Sequence, residues 1–252
     1  MRRAERAGLV AGALLLVPAA AMAAQSFGLP GVDIRVDAGA ARPAEVATAL
    51  KILAVLTALA LAPAALVVMT AFTRIIVVLA MLRMAIGMQE TPPNSVLVSL
   101  ALFLTLFTMQ PVLTQMDRDA FQPYAAGKMG FERAAETALK PLREFMIRQT
   151  REQDLALLIE VSRSEPPQDA DAVRTVQLVP AFMLSELKTA FQIGFVVFLP
   201  FLLLDIVVSS VLMSMGMLMV PPMMISLPLK LLLFVLIDGW NLVVKALLGS
   251  FH

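Results

Sequence analysis

The sequence contains no cysteine, and its single histidine, His252, is its last residue. The first absence excludes disulfides, thiolate metal sites and cysteine nucleophiles together, and the second removes most familiar histidine-based catalytic and metal constellations. One Trp, one Tyr and a formal net charge of +1 leave neither a base-stacking platform nor a basic face for nucleic acid. Charge of either sign is scarce at 15%, whereas 59% of the residues are hydrophobic, the composition of a membrane protein. No enzyme activity, cofactor or metal is expected.

The few charges fall in telling places. From Leu178 to Phe251 long apolar stretches are interrupted by Glu186, Lys188, Asp205, Lys230, Asp238 and Lys245. An ionised group near a bilayer centre costs roughly 2.5 to 3.5 kcal/mol, so these side chains are expected to face protein, a partner charge or a water-filled path. Glu186 and Lys230 are expected to pair across a hairpin, with Asp205, Asp238 and Lys245 making similar inter-helix or inter-subunit contacts. For each, a purely structural contact is the plainer reading. Arg74 and Arg83 read as interfacial or inter-subunit charges.

The chain is expected to divide into a signal peptide (1–23), a short periplasmic segment (24–49), a first hydrophobic helical region (50–113), a charged periplasmic helical insert (114–177) and a second hydrophobic hairpin (178–252). Arg2, Arg3 and Arg6 precede an apolar run ending in Ala21-Met22-Ala23, a small-x-small cleavage pattern. An uncleaved anchor helix is the alternative. A span needs about 20 residues, which Ile52 to Met69, Ser95 to Leu113, Phe191 to Met213 and Met223 to Leu248 approach or exceed. Ile75 to Leu82 would cover only about 12 Å as a helix and cannot span alone. Pro63, Pro200 and Pro228 should break helices, and broken helices in a membrane are tolerated only where protein or water satisfies the backbone.

The insert balances nine Lys/Arg against eleven Asp/Glu over residues 114 to 175 and should be solvated. Phe131, Ala135, Ala138, Leu142 and Phe145 fall on one helical stripe, followed by Leu155, Leu158 and Ile159, which predicts one or two amphipathic helices bent or divided at Pro141. Glu165-Pro166-Pro167-Gln168-Asp169 reads as a linker. An exported N-terminus and four crossings would put residues 71 to 94 in the cytoplasm, where Arg74 and Arg83 agree with the positive-inside tendency.

Two blocks, Thr70-Ala71-Phe72-Thr73-Arg74-Ile75 running on to Gln89-Glu90-Thr91-Pro92-Pro93-Asn94, and Pro180-Ala181-Phe182 with Ser185 through Phe195, resemble the FliP/SctR family of type III export-gate proteins. A third, Val211 through Pro222 and on to Leu236-Ile237-Asp238-Gly239-Trp240, resembles it too. The signal peptide and the large insert favour the flagellar branch over the injectisome homologues. The resemblance implies an all-α, membrane-associated subunit: about four Pro-broken hydrophobic helices in hairpins plus a soluble helical insert. It further implies assembly of several copies with FliQ and FliR into a helical hetero-oligomer in the basal body. That assembly would pass unfolded rod, hook and filament proteins across the inner membrane, without catalysis by this subunit.

Of the 17 methionines, Met213, Met215, Met217, Met219, Met223 and Met224 crowd around a glycine and a Pro-Pro pair. Methionine is apolar, unbranched and adaptable, so a ring of such side chains could close against ions and yield to passing chains. Together with the family resemblance, this predicts that Met217, Leu218 and Met219 form a deformable gasket, against ordinary apolar packing as the plainer alternative. The family pattern usually has Met where Leu218 stands, which keeps the seal apolar but stiffens it. Two other classes compete. A small-ion or solute transporter also uses intramembrane charges, although no convincing internal repeat supports it. An intramembrane aspartyl protease would pair Asp205 with Asp238, although Asp238-Gly239 lacks the usual glycine pattern.

Overall fold

The computed structural model describes residues 43–88, 90–163, 169, 172–217 and 219–251. The expected signal peptide, most of segment 24–49, Leu218 and linker residues 165–168 lie outside them. The described residues are helical, with no strand among them. They belong to two compact units, 1–60 and 61–252. The first contains the beginning of α1 (Pro43–Met69); everything below concerns the second.

Thr70 and Thr73 mark the end of α1. Their hydroxyls donate to the carbonyls of Leu66, at 2.5 Å, and Val67, at 2.8 Å, two of the terminal acceptors a helix leaves without an internal partner. The chain then enters α2 (Phe72–Ile86). Ile75, Val78, Leu79, Leu82, Ala85 and Ile86 of α2 are buried, with Ala71 just before it. Their spacing of three and four residues is the period of one helix face. This short helix, predicted as too short to span, is the centre of the core. It packs chiefly on α7 (Thr175–Ser214) and then on α3 (Asn94–Met116).

At Gly194 of α7 the Met81 side chain of α2 fills the space beside the backbone: a Cβ built there would overlap the Met81 sulfur and methyl and lie 3.1 Å from its Cβ. Leu178, Phe182, Ala190 and Phe201 complete the α7 side of the core, while α3 contributes Leu97, Ala101, Met109 and Val112.

The described residues of 114–177 pack into this same unit. After a π-helical turn at Asp117–Phe121 and the short α4 (Gln122–Ala125), α5 (Phe131–Gln149) lies against α3 and α7, and α6 (Glu152–Val161) against α7. Pro141 does not divide the helix: α5 runs through it, with Pro141 itself buried. The buried face is also rotated from the expected stripe. Ala134, Pro141, Phe145 and Met146 are buried, whereas Phe131 and Ala135 are exposed.

Three described helices are long and apolar enough to cross a membrane: Ala49–Met69, Asn94–Ala125 and Thr175–Ser214. A fourth crossing would need the bent pair α8 (Pro222–Leu236) and α9 (Gly239–Leu248), whose axes differ by 65°. At 40 residues, α7 is about 60 Å long, twice the hydrocarbon thickness, so part of it must lie outside lipid. Pro63, Pro200 and Pro228 all sit inside continuous helices. The break comes instead at Asp238, where φ of 50° and ψ of 55° place a non-glycine residue in the left-handed region that ends a helix.

Candidate functional site

α2 and α7 carry the core, and two of their charges, Arg74 and Glu186, lie inside it. The guanidinium of Arg74 forks onto the carboxylate of Glu186: Nε donates to Oε2 at 2.8 Å and Nη2 to Oε1. The two side chains are 2% and 0% exposed. Nη1 donates to the carbonyl and hydroxyl of Ser250 at 2.7 and 2.9 Å, and Nη2 also to Gln149 Oε1 at 3.0 Å. The guanidinium carbon lies 4.0 Å from the centroid of Phe251, whose ring in turn stacks on Phe145. All five N–H donors of the group are thus engaged, the condition under which a buried charge is tolerated. One arginine ties α2, α5, α7 and the last described residues together.

The reading of Arg74 as an interfacial charge is therefore corrected, and so is the pairing of Glu186 with Lys230. Lys230 Nζ donates to Asp205 Oδ2 at 2.6 Å. The reason is register along α7. Asp205 lies 19 residues beyond Glu186, about 28 Å along the helix, and α8 packs on that distal part. Lys230 is 8% exposed and Asp205 34%, so the ammonium is the buried member of this pair.

A further polar face of α7 meets α6. Ser185 Oγ donates to Asp154 Oδ2 at 2.7 Å and accepts from the Arg151 backbone N–H at 3.0 Å. Lys188 lies 3.5 Å from Asp154, and the Arg151 guanidinium donates to Thr189 and Gln192. The polar positions of the block Ser185 through Gln192 are thus anchor points for α2 on one side and α6 on the other.

Asp238 and Lys245 do not join these clusters. Asp238 is exposed and accepts from Asn241 Nδ2 at 3.0 Å, and Lys245 is exposed on α9. Asp205 and Asp238 have different partners, which does not provide the shared-proton dyad of an aspartyl protease. Among the described residues no three His, Cys, Asp or Glu side chains gather in a way that could hold a metal ion. Arg83 donates to the Pro92 carbonyl and to Asn94 Oδ1 at 2.7 Å, fixing the loop after α2.

The methionine run forms the turn between α7 and α8. Gly216 N–H donates to the Met213 carbonyl and Met217 N–H to the Leu212 carbonyl, each at 3.0 Å. This double closure needs a left-handed residue, which Gly216 supplies at φ of 76°. The side chains of Met213, Met215, Met217, Met219, Met223 and Met224 are all exposed, from 39% at Met217 to 95% at Met219.

Sequence reasoning missed Gln149, Ser250 and Phe251 as partners of Arg74, and Asp154 as the partner of Ser185 and Lys188. The only signal available was that Arg74 and Glu186 each stand in an otherwise apolar block.

The FliP family's sequence profile matches residues 55–247. The chain is 49% identical over 209 residues to the flagellar biosynthetic protein FliP of Bacillus subtilis (strain 168), covering 83% of this chain and 95% of that one. It is 49% identical over 252 residues to the protein of the same description from Pectobacterium carotovorum subsp. carotovorum, covering 99% and 94%. With the Caulobacter vibrioides protein it shares 45% identity over 244 residues, covering 97% and 89%.

Proposed function

This chain belongs to the FliP family, as a structural flagellar biosynthetic component of type III export rather than an enzyme, and from that premise we propose that it builds the export pore itself. Several copies assemble with FliQ and FliR in the inner membrane, residues 114–177 face the periplasm, and unfolded rod, hook and filament proteins pass through the centre. Met217, Leu218 and Met219 of each copy close that centre as an apolar gasket.

The observation that carries this reading is the turn between α7 and α8. Large apolar side chains are normally withdrawn from water, and here six methionines in and beside one turn are exposed. Flanking it, Val207, Val211 and Leu232 are exposed as well, which suits helices that pack on neighbouring subunits or lipid. Nearer the tip, the Lys230–Asp205 pair joins α7 to α8.

The test is to assemble the complex with a Met217→Ala/Met219→Ala variant and record ion conductance across the inner membrane. Truncating two of the three side chains should make resting cells leak ions while the complex still forms. Tight membranes in cells carrying the assembled variant complex would reject the gasket. For the export role, deletion of the gene should abolish flagella with normal growth, and swimming deletion cells would reject it.

A further inference from the structure

The bend between α8 and α9 leaves an apolar crevice where these two helices meet α7 and α2. Leu82, Phe201, Phe234 and Val243 are buried along its floor, while Pro200, Ile237 and Leu242 stand exposed at its rim, so it opens outward. Its volume is about 160 Å³, and no polar side chain lines it. An apolar cavity of about 150 Å³ stays dry and takes up a small hydrocarbon. The crevice therefore has no partner for water and has room for a short length of hydrocarbon chain. Its setting supplies one: residues 189–204 of α7 carry no charged side chain, and Phe195, Val196, Leu199 and Leu203 of that stretch are exposed.

The side chains of α9 say what kind of molecule carries that chain. Trp240 and Lys245 are exposed on it, while Val243 and Leu247 are buried against the core. Tryptophan and lysine are side chains that settle where hydrocarbon gives way to headgroups. Lys245 follows the rim residue Leu242 by one turn, which puts the two on one face of the helix. It is the one cation of α8 and α9 without an acidic partner, because Lys230 is held by Asp205. The nearest acid in the chain on this side, Asp238, starts the helix about 10 Å away along its axis and is engaged by Asn241. We propose that the crevice binds one acyl chain of an anionic phospholipid, with the headgroup phosphate on Lys245. A zwitterionic headgroup brings its own cation to the same place and is held less tightly.

Trp240 is the only tryptophan of the chain, and its ring meets Phe234 of the crevice floor edge-on at 5.5 Å between centroids, so its fluorescence reports on the site. The full chain, purified in detergent, is titrated with phosphatidylglycerol brominated on its acyl chains, and separately with phosphatidylcholine brominated in the same way. Phosphatidylglycerol should quench Trp240 saturably and at a roughly fivefold lower concentration, the worth of one lysine at an anionic surface. Lys245→Gln, a change at an exposed position, should make the two lipids equal. Val197→Phe, which fills the crevice from α7, should remove the saturable quenching, whereas Leu202→Phe, an exposed α7 residue outside the crevice, should titrate as the parent does. Quenching that rises without saturating, or that is equal for both headgroups in the parent, would overturn the site. So would an unchanged titration in Val197→Phe. The readout involves neither transport nor the methionine turn, so its failure leaves the export reading standing.

Discussion

Arg74 on α2 holds Glu186 on α7 through two parallel hydrogen bonds in the centre of the core, 112 residues apart in sequence. A guanidinium and a carboxylate in this arrangement are geometrically matched, and neither has water to fall back on. Removing the negative partner alone strands the positive one. Glu186→Gln should therefore destabilise the protein by about 3 to 5 kcal/mol, whereas an apolar replacement of both, Arg74→Met/Glu186→Leu, should recover most of the loss. Thermal unfolding in detergent checks this, and an unchanged midpoint in Glu186→Gln would contradict the buried clamp.

Phe251 completes that clamp from the end of the described chain, with its ring 4.0 Å below the guanidinium carbon. Phe251→Ala should cost roughly 1 to 2 kcal/mol through the lost cation–π contact. Phe251→Tyr, which keeps the ring face, should cost little. The comparison of the two unfolding midpoints decides it: equal losses would mean that the ring face is not what Arg74 uses.

A methyl group at Gly194 of α7 would overlap the Met81 side chain of α2. Gly194→Ala should destabilise by about 1 to 3 kcal/mol, the usual range for overpacking. Met81→Ala in the same chain should return part of the loss, because it removes the sulfur and methyl that the new Cβ meets. No recovery in the double variant would place the strain elsewhere.

The Lys230–Asp205 pair is lopsided in burial, 8% against 34% exposed. Removing the carboxylate leaves a buried ammonium with no acceptor, while removing the ammonium leaves a carboxylate that water can reach. Asp205→Ala should therefore be more damaging than Lys230→Met by about 1 to 3 kcal/mol, the cost of an unsatisfied buried group. Steady-state amounts of the two variants in membranes give the order, and the reverse order would contradict the burial asymmetry.

Much of the fold is legible in the sequence. Helical, apolar character from Ile52 onward and the inability of Ile75 to Leu82 to span alone follow from run lengths. The methionine cluster is legible because it is contiguous. The partners of the buried charges are not, and neither is the rotated face of α5, where Ala134 rather than Ala135 turns inward. One residue of shift rotates a helix face by about 100°, and a stripe read from spacing cannot choose between neighbouring alanines.

The sequence by itself determined that this is a helical membrane protein without cysteine, that its charges in apolar surroundings need partners, and that it belongs with the FliP proteins. These follow from composition, run length and contiguous blocks, all local properties of the chain. Only the tertiary structure decided that Arg74 rather than Lys230 receives Glu186, that Ser250 and Phe251 close over it, and that the last apolar stretch breaks at Asp238 rather than at Pro228. Pairing of that kind depends on how far one helix is displaced along another, and that displacement follows from the packing of whole helix faces rather than from any local pattern in the chain.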